Sequence, residues 1–165
     1  MSRNSRLYYL MSAELPRITH QRRLMYRTSL EEVVYFYQVI NEDIFRNRLI
    51  MPEITVSPRC RGYWGICQAK SVEPIYYPGE SSCTIKLMDK WYCRQWLITT
   101  LAHEMCHQFQ WDIEGPRRLR RGQEPIMSHG PSFFMHRERL AKHGIPLRRA
   151  HRMRHWLKNQ KIFEC

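Results

Sequence analysis

Residues 91–111 constrain this 165-residue chain more than any other stretch. Trp91, Trp96, Leu97, Ile98, Leu101, Ala102, Met105, Cys106 and Phe109 recur at helical spacing and cover much of a helix circumference. A helix with so little polar surface belongs at the centre of a fold, with other elements packed on most of its sides. Hydrophobic residues make up 43% of the chain and aromatics 12%, enough to build those covering layers. No run approaches the ~18 uninterrupted apolar residues of a membrane span, so the expectation is a buried core helix.

The flanking sequence predicts what covers it. Ser29-Leu30-Glu31-Glu32 forms a capping box, in which the serine hydroxyl and the glutamate three residues on satisfy free N–H groups. Leu30, Val33, Val34, Phe36, Tyr37, Ile40, Ile44 and Phe45 then keep helical spacing to about Arg46. Pro52 breaks the chain, Glu53 to Ser57 alternates as a short strand, and Pro58 stops it. Gly62 to Ala69 reads as a second strand, a turn follows at Gly79 to Ser82, and Cys83 to Met88 reads as a third. Gly115-Pro116 is expected to end the central helix and leave 116–128 as a basic loop. Pro131 then opens a helix that Gly144 caps, and 147–159 reads as a basic amphipathic helix. The expected class is α+β, with a small antiparallel sheet packed on the central helix. The chain divides into a basic arm over 1–28, a folded domain over 29–145 and a basic helix or tail over 146–165.

Inside the buried helix stands His103-Glu104-Met105-Cys106-His107. Residues i and i+4 leave a helix on one face, so two imidazoles can grip one metal ion. Buried imidazoles on an apolar helix need polar partners, and a metal supplies them. Glu104 emerges about 100° around the axis from His103, within reach of a water polarised by that metal without being a ligand. A catalytic zinc site needs a third protein ligand and an open position. A third histidine at metzincin spacing is missing, because Gln110 and Ile113 stand where that motif has Gly and His. The candidates downstream are Glu114, Glu124, His129, His136, Glu138 and His143. His129 precedes Gly130 and a helix start, where glycine permits close approach, whereas His136 and His143 are expected as solvated surface histidines.

The net charge is +12, distributed as +5 over residues 1–30, −3 over 31–114 and +10 over 115–165. Basic ends around a mildly acidic middle point to a polyanion partner, nucleic acid first and an anionic membrane surface second. Arg117, Arg118, Arg120 and Arg121 lie between the motif and His129. Arg148, Arg149, Arg152, Arg154 and Lys158 follow, with Trp156 among them placed to stack on an unpaired base. The expectation is DNA bound through phosphates, single strands preferred. Cysteines 60, 67, 83, 93, 106 and 165 contain no Cys-x-x-Cys pair, and residues 1–30 contain no apolar leader. Buried thiols in a monomeric, intracellular, non-secreted protein are therefore expected, with a four-thiolate site at Cys60, Cys67, Cys83 and Cys93 as the minor alternative.

At this point the sequence resembles the SprT-like metallopeptidases, the family that includes the Spartan DNA–protein crosslink proteases. The resemblance rests on Thr100-Leu-Ala-His-Glu-Met-Cys-His107 and on His129-Gly-Pro-Ser-Phe133. Upstream, Val39 to Pro52 looks like the family's opening helix and its exit into the first strand, and Gly62-Tyr-Trp-Gly65 occupies the place of its glycine-bearing second strand. The resemblance covers about residues 30–145 and implies a zincin-like domain. It implies one zinc ion held by His103, His107 and His129, with Glu104 as general base acting on a protein substrate. Only Cys165 lies in the tail, so the zinc ribbon of many bacterial members is not expected here, nor are the regulatory extensions of the eukaryotic proteins. Two other classes compete with the endopeptidase: a non-catalytic, zinc-stabilised nucleic-acid-binding module, and a metal-dependent hydrolase of a non-protein substrate. An intact Glu104 weighs against the module, because a structural zinc needs no base.

Overall fold

The central helix is where its apolar circumference puts it. In the computed structural model, which describes residues 5–12, 26–58, 62–73 and 77–150, α3 spans Arg94–Phe109 and buries every residue except Arg94 and His107. It starts three residues later than its periodicity suggests. Trp91 belongs instead to a two-residue strand, Lys90–Trp91, that pairs antiparallel with Tyr26–Arg27, and Cys93 is extended at the helix N-cap.

Around α3 the elements run in order α1 (Arg6–Ser12), β1 (Tyr26–Arg27), α2 (Leu30–Ile40), β2 (Glu53–Ser57), β3 (Gly65–Ala69), β4 (Cys83–Met88) and β5 (Lys90–Trp91). After α3 come α4 (Gly115–Arg120), α5 (Pro131–Phe134) and α6 (Arg137–Ala141). The class is mixed α and β, as expected, but the sheet is not antiparallel. Its order is β2-β4-β3, with β2 parallel and β3 antiparallel to β4. The alternation of residues locates strands without fixing their order. Here β2 and β3 stand two places apart, and the last of the three strands inserts between them. As the central strand, β4 turns Cys83, Ile85 and Leu87, all fully buried, to one face of the sheet.

Helix α2 keeps half of its capping box. Ser29 Oγ accepts from the Glu32 N–H at 3.3 Å, but the Glu32 carboxylate turns away to accept from Tyr26 OH and from Thr28 Oγ1, the latter at 2.8 Å. It thereby ties β1 to α2 rather than closing the box. The helix ends in a π turn over Asn41–Phe45. Buried Asn41 then clamps the exit to β2, donating to Leu49 O at 2.8 Å and accepting from Leu49 N–H at 3.2 Å.

Gly115-Pro116 does not end the central helix. A π turn over Gln110–Glu114 carries α3 directly into α4, with Pro116 in the first turn of α4, where its missing N–H has little to lose. The expected basic loop is therefore largely helical: Arg117, Arg118 and Arg120 lie in α4 and Arg121 just beyond it. The helix expected after Pro131 is broken in two at Met135-His136. Its end matches expectation. Gly144 has φ +76°, and Ile145 N–H reaches Leu140 O while Gly144 N–H reaches Ala141 O, both at 3.0 Å, which is the Schellman pattern.

The stretch expected as a basic arm contributes to the fold, since Leu7 and Met11 of α1 are fully buried beside α2 and α3. Of the basic helix expected over 147–159, residues 147–150 are not helical, and the remainder lies outside the described residues. No described helix is long and apolar enough to cross a membrane.

Candidate metal centre

One turn of α3 separates His103 from His107, and their rings meet edge to face at 5.0 Å between centroids. The third imidazole comes from the segment between α4 and α5. A tight turn closed by Gly130 N–H to Met127 O, at 3.0 Å, presents His129 to the helix. A side chain on Gly130 would place its Cβ 2.8 Å from Met127 Cβ, so the turn requires glycine for room rather than for backbone freedom. His129 then lies 5.3 Å from His103 and 4.8 Å from His107 between ring centroids. Fully buried Phe133 of α5 packs on all three rings, at 4.8, 4.6 and 4.8 Å.

One nitrogen from each of these imidazoles lies within 4.8 Å of the other two, and the described residues contain no other such convergence of three ligating side chains. The His103 and His129 Nε2 atoms are 3.4 Å apart. Two nitrogens bonded to one tetrahedral ion at about 2.0–2.1 Å stand about 3.3–3.4 Å from each other. The donor set therefore fits a metal ion. Its electrostatics fit as well, because metal binding requires neutral imidazole. Burial pushes His107 down to about 4, with the His129 charge acting in the same direction and the Gln110 hydrogen bond opposing. Burial also lowers His129, and the Arg149 guanidinium adds to that.

Glu104 is only 6% exposed. One carboxylate oxygen, Oε2, accepts from the Cys67 N–H of β3 at 2.8 Å. The strand comes this close because residue 65 is glycine: a Cβ there would sit 2.7 Å from Leu87 Cδ2, 2.9 Å from Thr100 Cγ2 and 3.3 Å from Glu104 Cγ. Burial raises the Glu104 carboxyl to about 7, and the Cys67 N–H opposes that rise. Glu104 is thus a buried carboxylate held through one oxygen by a strand and adjacent in sequence to the first histidine of the cluster.

The SprT-like family model matches residues 33–151, well over half of the chain. This chain belongs to the SprT-like family. The match reaches from α2 past α6, and so takes in the whole SprT-like site as well as the sheet behind it. No curated protein matches the chain.

Other expected residues are placed elsewhere in this SprT-like domain. His136 is not a solvated surface histidine. It is 4% exposed and edge-on to Phe45 and Phe109, at 4.7 and 4.6 Å. His143 is half-buried, with Nδ1 2.8 Å from Ser5 Oγ. Glu114 is engaged by Arg117 and Arg118, each at 3.6 Å. Arg117, Arg120 and Arg121 are exposed on and after α4, and Arg148 and Arg149 are exposed beyond α6. Arg152, Arg154, Trp156 and Lys158 lie outside the described residues, as do Cys60 and Cys165. Cys67, Cys83, Cys93 and Cys106 are free thiols, all buried except half-buried Cys67. Sequence reasoning gave no role to Gln110, Phe133 or the Cys67 N–H. The Phe133 position was visible as part of the His-Gly-Pro-Ser-Phe string, but a backbone N–H leaves no trace in a residue pattern.

Proposed function

We propose that this chain is a zinc-dependent endopeptidase of zincin-like architecture, acting on proteins on or crosslinked to DNA. His103, His107 and His129 are the zinc ligands and Glu104 the general base. One observation carries the reading: three imidazoles converge on one point, and the neighbouring residue of the first is a buried carboxylate held by a strand. When bound, the ion supplies Lewis acidity for a water and for the scissile carbonyl. The residues of the chain do the rest. Glu104 takes a proton from the attacking water as its oxygen bonds to the carbonyl carbon. It then gives that proton to the amide nitrogen as the C–N bond breaks, so the carboxylate is regenerated. The Cys67 N–H fixes one oxygen of Glu104 and leaves the other for the proton. Phe133 walls off the imidazoles from water on one side.

We assign the catalytic unit to residues 29–145, in a monomeric intracellular protein. The DNA link rests on the family and on charge, with exposed arginines at 117, 120, 121, 148 and 149 following the motif. Single strands are the proposed form of DNA, on the ground that Trp156 can stack on an unpaired base.

The deciding experiment compares wild type with Glu104→Gln for cleavage of casein and for self-cleavage, with and without single-stranded DNA. The amide keeps the shape of the side chain but cannot accept the proton, and general-base assistance contributes about 10²–10⁴-fold. Activity in the variant within a few-fold of wild type refutes Glu104 as the base. An inactive wild type that still binds zinc and DNA supports the non-catalytic module instead.

A further inference from the structure

Gln110 is completely buried at the junction where α3 gives way to its π turn, and its amide makes three polar contacts, one through the oxygen and two through the nitrogen. Its Oε1 lies 3.1 Å from His107 Nδ1. Its Nε2 lies 2.8 Å from Met127 O and 2.8 Å from Ser132 Oγ. These partners fix the orientation of the amide. A backbone carbonyl only accepts, so the nitrogen of Gln110 must face Met127, and its oxygen must face His107. An amide oxygen also only accepts, so His107 must carry its proton on Nδ1. Neutral imidazole holds one proton, which leaves the lone pair on Nε2.

The same amide thus reaches both halves of the histidine cluster. Through Oε1 it sets the tautomer and orientation of His107 on α3. Through Nε2 it holds the turn that presents His129, gripping Met127 two residues before that histidine and Ser132 three residues after it. The π turn makes this possible, because its wider winding begins at Gln110 itself and replaces the regular α-helical course there.

We infer that Gln110 is a positioning residue, which sets His107 to offer Nε2 and ties the His129 turn to α3. The inference rests on the metal-centre reading for its consequence, though not for its geometry. Groups that orient metal ligands from outside typically change metal affinity 10–100-fold when removed.

The test has two parts. In the metal-free wild type, ¹⁵N-detected NMR of the histidine side chains should show His107 as the Nδ1–H tautomer. An Nε2–H tautomer at His107 overturns the inference with no variant needed. Zinc affinity is then measured by competition with a chromophoric chelator for wild type, Gln110→Leu and Gln110→Glu, alongside circular dichroism of each. Gln110→Leu should bind zinc 10–100-fold more weakly and lose the single His107 tautomer. Gln110→Glu keeps an oxygen for His107, so it should keep the tautomer yet bind zinc more weakly, because it cannot donate to Met127 O. Where Gln110→Leu fails to fold, Ser132→Ala removes one of the two anchors alone and should weaken zinc by several-fold. Zinc affinity within twofold of wild type in Gln110→Leu, or in Ser132→Ala if that is the variant that folds, overturns the inference. Wild type that takes up no zinc refutes the functional reading instead, and the tautomer measurement still decides the role of Gln110.

Discussion

Acidification should destabilise this protein through His136 in particular. The ring is 4% exposed, packs edge-on against both Phe45 and Phe109, and its Nε2 finds no hydrogen-bond partner among the described residues. Burial, with the Arg139 and Arg48 guanidiniums adding repulsion, lowers it from its ordinary 6.5 to about 4. The folded protein therefore holds His136 neutral, while the unfolded chain takes up a proton there as pH falls through 6.5. Stability is full above that value and is lost progressively towards pH 4. Over the whole window the loss is about 3 kcal/mol, and between pH 7.5 and pH 5 it is about 2 kcal/mol. For a chain of this size the latter corresponds to about 4–8 °C in Tm. The assay is thermal unfolding from pH 7.5 to pH 5 of wild type and His136→Leu, which keeps an apolar side chain of similar bulk. Taking the difference between the two removes the contributions of His107, His129 and His143, which are also held down. The variant should lose about 4–8 °C less than wild type over that range. Parallel losses in the two proteins would show that His136 is not held neutral by its surroundings.

Gly65→Ala should lower Tm by several degrees and reduce cleavage. The new methyl would meet Leu87 and Thr100 at 2.7 and 2.9 Å, overpacking of this kind costs about 1–3 kcal/mol, and the strand that holds Glu104 would be pushed from the helix; an unchanged Tm and rate would refute that fit. Replacing Arg117, Arg118, Arg120 and Arg121 by Ser should weaken DNA binding about equally for all sequences in gel-shift titrations. The slope of log affinity against log salt should become shallower by about 2–4. No binding by wild type at low salt, or binding indifferent to salt, would mean that the charge serves another purpose.

Periodicity and short motifs made most of the legible features readable in the sequence. The burial of α3 is a consequence of its apolar circumference, and the strand Cys83–Met88 was bounded correctly because the Gly79-to-Ser82 turn precedes it and Asp89 stands where its alternation would next require an apolar residue. The convergence of His129 on His103 and His107 was legible only in part: residue types left six candidates for the third position, and the resemblance of His129-Gly-Pro-Ser-Phe133 to the SprT-like pattern singled out His129. The parallel pairing of β2 with β4 was not, because order within a sheet is decided by which hydrophobic faces meet across about 30 residues of chain. Gly115-Pro116 misled for a local reason. The pair signals a helix end only where the preceding turn is regular, and the π turn over Gln110–Glu114 removes the conflict. His136 misled because seven-residue spacing put it on a supposed single helix, whereas the break at Met135-His136 turns it into the core.

The most direct test of the account is metal stoichiometry. Elemental analysis of purified wild type should give about one zinc per chain, with little remaining in His103→Ala, His107→Ala or His129→Ala. His143→Ala, which alters a histidine bonded to Ser5 and outside the cluster, should keep the full complement. Wild type without a stoichiometric metal, or a His129→Ala protein that retains it while His143→Ala loses it, would contradict the metal centre.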